Sequence, residues 1–205
     1  VAKGWDLVVP DPAQRGLDRF FYNLRFPIVF VNSILQADPT RAGIALGRFS
    51  INTTLGMAGF LDPAAHAGLT PIDEDFGQTL GRWGVGAGPY LVLPFLGPSN
   101  PRDGVGVAVD SAMRVWPWFV DREISFGVTA LDLVNTRSLW IDLIADAKEE
   151  SLDYYAAVRD AYLQRRRSLI ENRDTGNEND DSLYFPHAGG QPSSPSEQND
   201  DDLYF

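Results

Sequence analysis

The segment FGQTLGRWGVGAGPYLVLPFLGPSNPRDG, from Phe76 to Gly104, combines seven glycines and four prolines with large apolar side chains. Proline has no backbone donor and glycine weakens regular structure, so this segment is neither one helix nor an ordinary central strand. A long apolar loop is costly in a compact domain because its backbone polar groups need partners. The segment is therefore predicted to be functional, as a hinge, a lid or a wedge that faces a membrane.

Upstream of this segment, Asp-Pro pairs mark three places where a helix is expected to begin: Asp11-Pro12, Asp38-Pro39 and Asp62-Pro63. Aspartate accepts hydrogen bonds from the free N–H groups of a first helical turn, and proline at the first helical position loses none. Helices are predicted near residues 12–24, 27–36, 39–55 and 63–67. We expect Gly56 and Gly68 to end the last two with positive φ.

The acidic run Asp73-Glu74-Asp75 places negative charge at the start of a further helix, which is predicted to end near Arg82. The same run could bind Ca²⁺, but helix capping explains it without a metal. Downstream, helices are predicted over 102–114, 121–134, 136–147 and 149–172, and the predicted strands are short ones around 89–96. The predicted fold class is all-α with one irregular, Gly/Pro-rich hairpin.

Three aromatic runs are apolar on more than one helical face: Phe20-Phe21-Tyr22, residues 26–31 and residues 116–120. A helix that is apolar all round lies deep in a core or against lipid. Aromatic side chains favour the membrane–water boundary, and on composition alone both an aromatic core and an interfacial position stay open. No helix is expected to span a bilayer, because the longest uncharged run, residues 83–101, contains four prolines.

The charge balance is acidic, with 17 basic and 28 acidic residues and a formal net charge of −11. Nine of the acidic residues lie between Glu171 and Phe205, so the preceding body is close to neutral. A basic stripe that could displace counterions from phosphates is missing, and no nucleic-acid partner is expected. The sequence has no cysteine, which excludes disulfides and thiolate metal sites within it.

The length predicts one domain, residues 1–172, and an acidic tail, residues 173–205, that is disordered by composition. The tail holds a near-repeat, ENDDSLYF from Glu178 to Phe185 and QNDDDLYF from Gln198 to Phe205. Acidic residues ahead of an aromatic anchor suit a short binding motif that is steered toward a basic groove. A duplication tolerated in a weakly constrained tail is the alternative.

Catalytic motifs are missing from the sequence. His66 lies in a short alanine-rich segment, and no nucleophile elbow, metal-binding histidine pair or P-loop occurs. Gly84, Gly86 and Gly88 alternate ahead of the apolar hairpin, but a phosphate-binding loop should follow a strand and open a helix. A hinge fits these glycines better. The chain is not predicted to be an enzyme, and no cofactor or metal is expected.

The last predicted helix is cationic near its C-terminus, where Arg165-Arg166-Arg167 follow Arg159 by two turns. These arginines suit phosphate head groups. A solvated helix face, paired with acidic neighbours and favoured by the helix dipole, explains them equally well.

Three blocks of the sequence resemble the MlaA family, also called VacJ. They are RFSINTTLGMAGFLD from Arg48 to Asp62, FGQTLGRWGVGAGPY with LPFLGPSNPRDG in the opening segment, and AYLQRR from Ala161 to Arg166. The resemblance covers residues 1 to about 172. The family comprises outer-membrane lipoproteins of Gram-negative bacteria that help keep phospholipids out of the outer leaflet. Its secretory signal, lipidated cysteine and NDPxExFNR-like segment are not in this sequence, so a lipid anchor is expected in a full-length precursor.

The resemblance implies a ring of amphipathic helices in the periplasmic leaflet of the outer membrane, with a polar channel for phospholipid. It implies that mislocalised phospholipid is removed from the outer leaflet and passed to the soluble periplasmic carrier MlaC, and that the protein associates with a trimeric porin. A soluble periplasmic helical scaffold with an aromatic core is the alternative.

The resemblance and the residue patterns together give three sets of candidate site residues. The gating hairpin is predicted to use Gly84, Gly86, Gly88, Pro89 and Tyr90. Carrier docking is predicted at Arg159, Tyr162, Arg165 and Arg166. The membrane interface is predicted at Phe20, Phe21, Phe30, Trp116 and Trp118.

Overall fold

Helices dominate the computed structural model, which describes residues 1–93, 97–139, 141, 148 and 153–172. The helices are α1 Ala2–Val8, α2 Asp11–Leu24, α3 Phe26–Leu35, α4 Pro39–Thr54, α5 Pro63–His66, α6 Phe76–Arg82, α7 Pro101–Met113, α8 Arg122–Leu139 and α9 Tyr154–Ile170, with a 3₁₀ turn at Trp116–Trp118. Strands β1 Leu91–Leu93 and β2 Gly97–Ser99 pair antiparallel, with Leu91 opposite Ser99 and Leu93 opposite Gly97. The predicted all-α class with one hairpin is confirmed.

Side-chain caps begin α4, α5, α6, α7 and α9, but the predicted cap Asp11 lies inside α2, which begins without a side-chain cap. Asp38 accepts a hydrogen bond from the Arg41 backbone N–H at 3.0 Å, and Asp62 accepts one from the Ala65 backbone N–H at 3.2 Å. The Asp-Pro signal therefore located the starts of α4 and α5. It works because the capping oxygen and its donor lie three residues apart, so no distant part of the chain is needed.

Some predicted boundaries are wrong. Helix α8 runs unbroken through Asn135 to Leu139, where two separate helices were predicted. The second strand of the hairpin, β2, begins at Gly97, beyond the predicted range 89–96. Helix α1 was not predicted, and it is held by a tertiary contact in which the Trp5 indole N–H donates to Asn135 Oδ1 at 3.2 Å. The acidic tail, most of 140–147 and residues 149–152 lie outside the described residues.

The two glycines predicted to end helices with positive φ behave differently. Gly68 has a φ of +79°, as predicted, but Gly56 does not adopt positive φ, and Met57, Ala58 and Gly59 after it do. A Cβ at Gly56 would lie 2.5 Å from the Leu61 carbonyl oxygen and 2.6 Å from that of Asn52. Glycine is required there because two backbone segments approach closely, and the left-handed turn follows it.

The crossing of α6 and α7 depends on a second close backbone approach. A Cβ on Gly106 would lie 2.5 Å from the backbone nitrogen of Gly77. The two helices that flank the hairpin therefore touch main chain to main chain. This contact holds the two ends of the glycine-rich segment together.

The interior of the described residues is unusually polar. Its cluster of buried apolar side chains is small, comprising Val29, Ala45 and Ile72 with Phe26 and Ile44 packed against it. The largest fully buried side chains are all polar: Gln14, Gln78, Glu74, Asn32, Asn100, Asn135, Thr79 and Ser33. In an ordinary water-soluble domain the largest buried side chains are apolar. This chain reverses that pattern.

Among the described helices, none combines the length and the apolar character needed to cross a membrane.

Candidate functional site

A hydrogen-bonded polar network occupies the centre of the molecule around Glu74. The Glu74 carboxylate is fully buried, pairs with the Arg41 guanidinium and accepts a hydrogen bond from Gln36 Nε2 at 2.6 Å. Thr79 accepts from Gln36 at 3.2 Å and donates to Asn32 Oδ1 at 2.7 Å. Helices α3, α4 and α6 thus meet through polar groups. Because buried polar groups need partners, this network fixes the relative positions of the three helices.

Charged side chains from several elements extend this polar region. The guanidinium of Arg25, the residue that joins α2 to α3, donates to Asp73 Oδ1 at 3.2 Å. On α7, Asp110 accepts hydrogen bonds from the Phe76 backbone N–H at 3.2 Å and from Asn32 Nδ2 at 3.3 Å. The polar network therefore continues from α3 through α7 toward α2.

A joint between α2 and α8 places four further charged groups near one another. Trp116 packs against Phe21 with 6.4 Å between ring centroids, and its indole N–H donates to Thr129 on α8. Arg114 lies over the Trp116 ring at 5.3 Å. The remaining three groups are Asp18 on α2, Arg25 directly after α2 and Asp132 on α8, and each is three or four residues along the chain from Phe21 or Thr129.

The environment of these carboxylates disfavours their charge. Burial and then the charge of Asp132 raise the pKa of Asp18 from 3.8 to about 6. Burial, and after it mainly the charge of Asp75, raises the pKa of Asp110 to about 6, although hydrogen bonds from Phe76 and Asn32 oppose the shift. Burial also raises the pKa of Asp132, against the cations Arg114 and Arg25. Such shifts are typical of functional interiors, where charge is held away from bulk water.

Arg25 shows that this region is enclosed but open to solvent. Its charged neighbours Asp73, Asp75 and Asp132 lie on two other parts of the chain. Its side chain nevertheless remains 41% accessible. Arg25 is therefore a guanidinium that acidic side chains from other segments surround and that solvent still reaches.

The outer surface is apolar by contrast. Trp118 is 74% exposed and Phe119 is 81% exposed. Other exposed large apolar side chains are Val31, Ile34, Leu46, Leu55, Met57, Phe60, Leu61, Val105, Ile124, Phe126 and Leu133. Where such side chains adjoin one another, as Trp118 and Phe119 do in the sequence, they indicate a surface that contacts protein or membrane.

The predicted membrane residues divide between the interior and the surface. The structure buries Phe21 and Trp116 against each other, which corrects the prediction of lipid contact for these two. Trp118 is exposed, and Phe30 is half-buried. Phe20, also half-buried, stacks on Phe60 with 4.9 Å between centroids. The sequence could not separate Trp116 from Trp118, because only the packing of α2 against α8 covers the first.

Two of the three predicted hinge glycines require a left-handed backbone. Gly84 has a φ of +88° and Gly88 a φ of +76°, whereas Gly86 is not in that region. Pro89 is exposed, and Tyr90 packs edge-to-face on Tyr155 of α9 with 5.6 Å between centroids. The hairpin therefore leaves α6 through a tight turn and returns against the last helix.

The predicted docking residues on α9 also divide. Arg166 is largely buried and pairs with Asp75 and Asp103, and the Tyr162 hydroxyl donates to Asp103. Arg159 and Arg165 are more accessible, with Arg159 paired to Asp160 and Arg165 lying 3.5 Å from Asp73. Tyr162 and Arg166 thus have partners within the chain, and of the predicted docking set only Arg159 and Arg165 offer largely accessible side chains.

A model of the MlaA lipoprotein family matches residues 1–169. The chain belongs to the MlaA lipoprotein family. This confirms the resemblance seen in the three sequence blocks.

Two relatives of this MlaA-family chain carry the name intermembrane phospholipid transport system lipoprotein MlaA. The one from Shigella flexneri is 40% identical over 168 residues, which cover 80% of this chain and 66% of that protein. The one from Haemophilus influenzae is 36% identical over 186 residues, covering 85% of this chain and 73% of that protein. The chain thus spans just under two thirds of the Shigella relative.

The MlaA-family fold is also found among solved structures. One, whose report concerns the structural basis for maintenance of bacterial outer membrane lipid asymmetry, matches with a TM-score of 0.70 and 35% identity. The match covers 82% of this chain and 85% of that chain.

Sequence reasoning missed the charged residues of the MlaA-family interior. Asp18 is seven residues before Arg25, which directly follows α2, and Asp110 is four residues before Arg114, which follows α7 in an extended conformation. Charge recurring at helical spacing between apolar neighbours was the available signal. The acidic run at 73–75, considered as a Ca²⁺ site, instead pairs with Arg25, Arg41 and Arg166.

Proposed function

We propose that this chain transports phospholipid at the outer membrane, removing mislocalised lipid from the outer leaflet and passing it to a periplasmic carrier. The observation that carries the proposal is the reversed polarity of the fold. Fully buried side chains such as Glu74 and Asn32 are polar, while Trp118, Phe119 and Phe126 are exposed. Family membership and the names of the relatives support the same function.

The physics of lipid movement requires such an arrangement. A head group that leaves one leaflet needs a polar path, because burying it in hydrocarbon without partners costs about 2–7 kcal/mol per polar group. The acyl chains can remain in lipid throughout. A ring of helices with a polar inner face and an apolar outer face satisfies both needs, and its inner face would include Asp18, Arg25, Asp110, Arg114 and Asp132.

Charges of both signs suit a phospholipid head group. Arg25 and Arg114 offer guanidinium groups to the phosphate, and arginine binds phosphate with a rigid fork. Asp18 and Asp132 offer acceptors to ammonium or hydroxyl groups. No covalent step is involved, so catalytic residues are not needed.

The hairpin is proposed to gate this path, and α9 to dock the carrier. Gly84 and Gly88 would absorb the backbone rotation of an opening hairpin. Arg159 and Arg165 remain the accessible cations of the docking set, and MlaC is the proposed carrier. The proposed location is the periplasmic leaflet of the outer membrane beside a trimeric porin, with the exposed apolar side chains against acyl chains or the porin.

A charge-removal variant tests the polar path. Asp18→Leu/Asp132→Leu removes two carboxylates from the inner face, and it should fold because both are disfavoured as charged groups there. If the two lost carboxylates stabilise the passing head group by about 1.4 kcal/mol, transport should fall about tenfold. Outer-leaflet phospholipid, measured by palmitoylation of surface lipid A, should rise at an unchanged protein level.

The matched control is Asp11→Leu/Asp121→Leu, which makes the same exchange at exposed positions. This control should retain normal asymmetry. Normal asymmetry in the interior variant would contradict the polar path. A purified chain that stays monomeric without detergent and carries no phospholipid would favour the soluble scaffold instead.

A further inference from the structure

The Arg166 side chain of α9 joins two carboxylates from different helices. Its Nη1 and Nη2 donate to the two Asp75 carboxylate oxygens at 2.5 and 3.0 Å. Its Nη2 also donates to Asp103 Oδ1 at 3.0 Å, and its Nε lies 2.9 Å from Asp103 Oδ2. The side chain is only 13% exposed, so this paired arrangement is shielded from solvent. Arginine suits the position because its planar fork can hold two carboxylates at once.

Both carboxylates lie at the start of a helix that borders the hairpin. Asp75 caps α6 through the Gln78 backbone N–H at 2.7 Å. Asp103, in the first turn of α7, donates its backbone N–H to the cap Asn100 and accepts from Asn100 Nδ2 at 2.7 Å. Arg166 therefore holds the N-terminal end of the helix before the hairpin and that of the helix after it.

Tyr162, one turn before Arg166, extends the contact into the hairpin. Its hydroxyl donates to Asp103 Oδ2 and accepts from Asn100 Nδ2 at 3.0 Å. The ring of Tyr90, in the hairpin, packs edge-to-face on Tyr162 at 5.9 Å and on Tyr155 at 5.6 Å. Tyr155, Tyr162 and Arg166 are spaced by seven and four residues, so one face of α9 carries all three.

Helix α9 packs closely on α6, so it has little room to shift while Arg166 holds Asp75 and Asp103. A Cβ at Gly77 would lie 2.8 Å from Arg166 Nη2. A Cβ at Gly81 would lie 2.7 Å from Ile170 Cδ1. Helix α6 thus presents a glycine surface on which α9 rests, and Arg166 reaches past that surface to both caps.

We propose that Tyr162 and Arg166 are positioning residues that latch the hairpin in its present place, and that α9 must move for the hairpin to open. The inference rests on the proposed gating function for its effect on transport. Docking of the carrier on the accessible part of α9 then acts on the hairpin through this latch. Tyr162 and Arg166, which the sequence predicted to contact the carrier, are here assigned to coupling α9 to the hairpin.

Hydrogen exchange tests the latch without any transport assay. Arg166→Gln removes the charge, and Arg166→Lys keeps it without the fork. We expect amide exchange to accelerate at least tenfold over residues 84–92 in Arg166→Gln, and less in Arg166→Lys, in the detergent-solubilised full chain. Exchange in α2–α4 should stay at the parent rate.

The control is Arg167→Gln, which removes an exposed arginine next to Arg166 on the same helix. It should leave exchange over 84–92 unchanged. Equal acceleration in all helices, or none in the hairpin, would overturn the latch. The first result would show a general structural role, and the second would show that the hairpin is held independently of Arg166.

A reversible cross-link separates the latch from the gate. The sequence has no cysteine, so Tyr90→Cys/Tyr155→Cys can be joined selectively by a short bifunctional methanethiosulfonate. The cross-link should stop lipid transfer to the carrier, and reductant should restore it. Transfer that continues with the hairpin cross-linked, while Arg166→Gln still accelerates hairpin exchange, keeps the latch and overturns the proposed gate.

Discussion

Individual buried charges in this protein depend on their partners. Arg41 and Glu74 are paired in the interior, and Gln36 supplies a further hydrogen bond to the carboxylate. Breaking a buried pair leaves one charge without compensation, and this is more destabilising than replacing both members by neutral groups. Asp18 differs, since its own charge is disfavoured in the fold. Removing Arg41 should therefore destabilise the fold, whereas neutralising Asp18 should stabilise it.

Arg41→Met is expected to lower the free energy of unfolding by about 3–5 kcal/mol, because the Glu74 carboxylate stays buried without its cation. Arg41→Met/Glu74→Gln should recover part of that loss, since it removes the stranded charge. Urea unfolding in a mild detergent, followed by circular dichroism, measures both. A double variant less stable than the single one would contradict the pairing argument.

Asp18→Asn is expected to stabilise the chain at neutral pH and to change its pH dependence. The folded pKa, about 6, lies above the unfolded value of 3.8, so the folded chain holds this proton more tightly. The associated stability is present in full below pH 3.8, falls as the pH rises, and is lost above about pH 6. The substituted chain lacks this decline, and should be more stable at pH 7.5 by about 1–3 kcal/mol.

Thermal unfolding between pH 4 and pH 7.5 checks this prediction. Asp160→Asn is the control for loss of one surface carboxylate. If the Asp18→Asn variant loses as much stability as the parent over this range, Asp18 is not the group responsible.

At the scale of elements, α6 and α7 form one unit from which the hairpin extends. Asp75 and Asn100 cap the two helices, and the backbone contact at Gly77 and Gly106 joins them. The glycines of the turn after α6 differ in their backbone requirements. Only Gly84 and Gly88, among the three predicted hinge positions, have positive φ.

Gly84→Ala is expected to disfavour the present turn by about 1 kcal/mol, because a Cβ is strained at a φ of +88°. Gly86→Ala should be nearly neutral, since that backbone is not left-handed and a Cβ there meets nothing within 4 Å. The melting temperature and the amount of outer-leaflet phospholipid should both change more in Gly84→Ala than in Gly86→Ala. Equal effects at the two positions would contradict the proposed hinge geometry.

At the scale of the whole molecule, polar side chains are buried and large apolar side chains are exposed, which is the reverse of an ordinary water-soluble domain. Polar side chains such as Gln78 and Asn32 fill the interior, while Trp118 and Phe119 extend outward. In water this arrangement exposes apolar surface without burying an equivalent core. Seating in a membrane removes that conflict, because the apolar side chains then contact lipid.

Quenching by brominated lipid tests this seating. In nanodiscs, Trp118→Phe should remove more of the bromine-quenched fluorescence than Trp116→Phe, because Trp118 is exposed and Trp116 is only 7% exposed. Each variant lacks one of the five tryptophans, so comparing them with each other corrects for the fluorescence lost with that residue. Equal losses, or no quenching in the parent, would contradict a membrane-facing Trp118.

Local sequence was enough to locate the starts of α4, α5 and α6 and the place of the hairpin. Asp38, Asp62 and Asp75 act on donors three residues away, and glycine and proline restrict their own backbone. The family resemblance also lay in contiguous residues. These features were predictable because their causes are local in the chain.

Which side chains are buried and which charges pair depends on tertiary packing. Arg166, predicted to dock the carrier, instead meets Asp75 across 91 positions of sequence. Trp116 is buried and Trp118 exposed although they are two residues apart. Gly56 is needed for a close approach to Leu61, not for its own φ. For Arg166 and Trp116 the cause is a distant segment packed against the residue, and for Gly56 it is a turn that brings Leu61 back onto it. Helical spacing alone specifies neither contact.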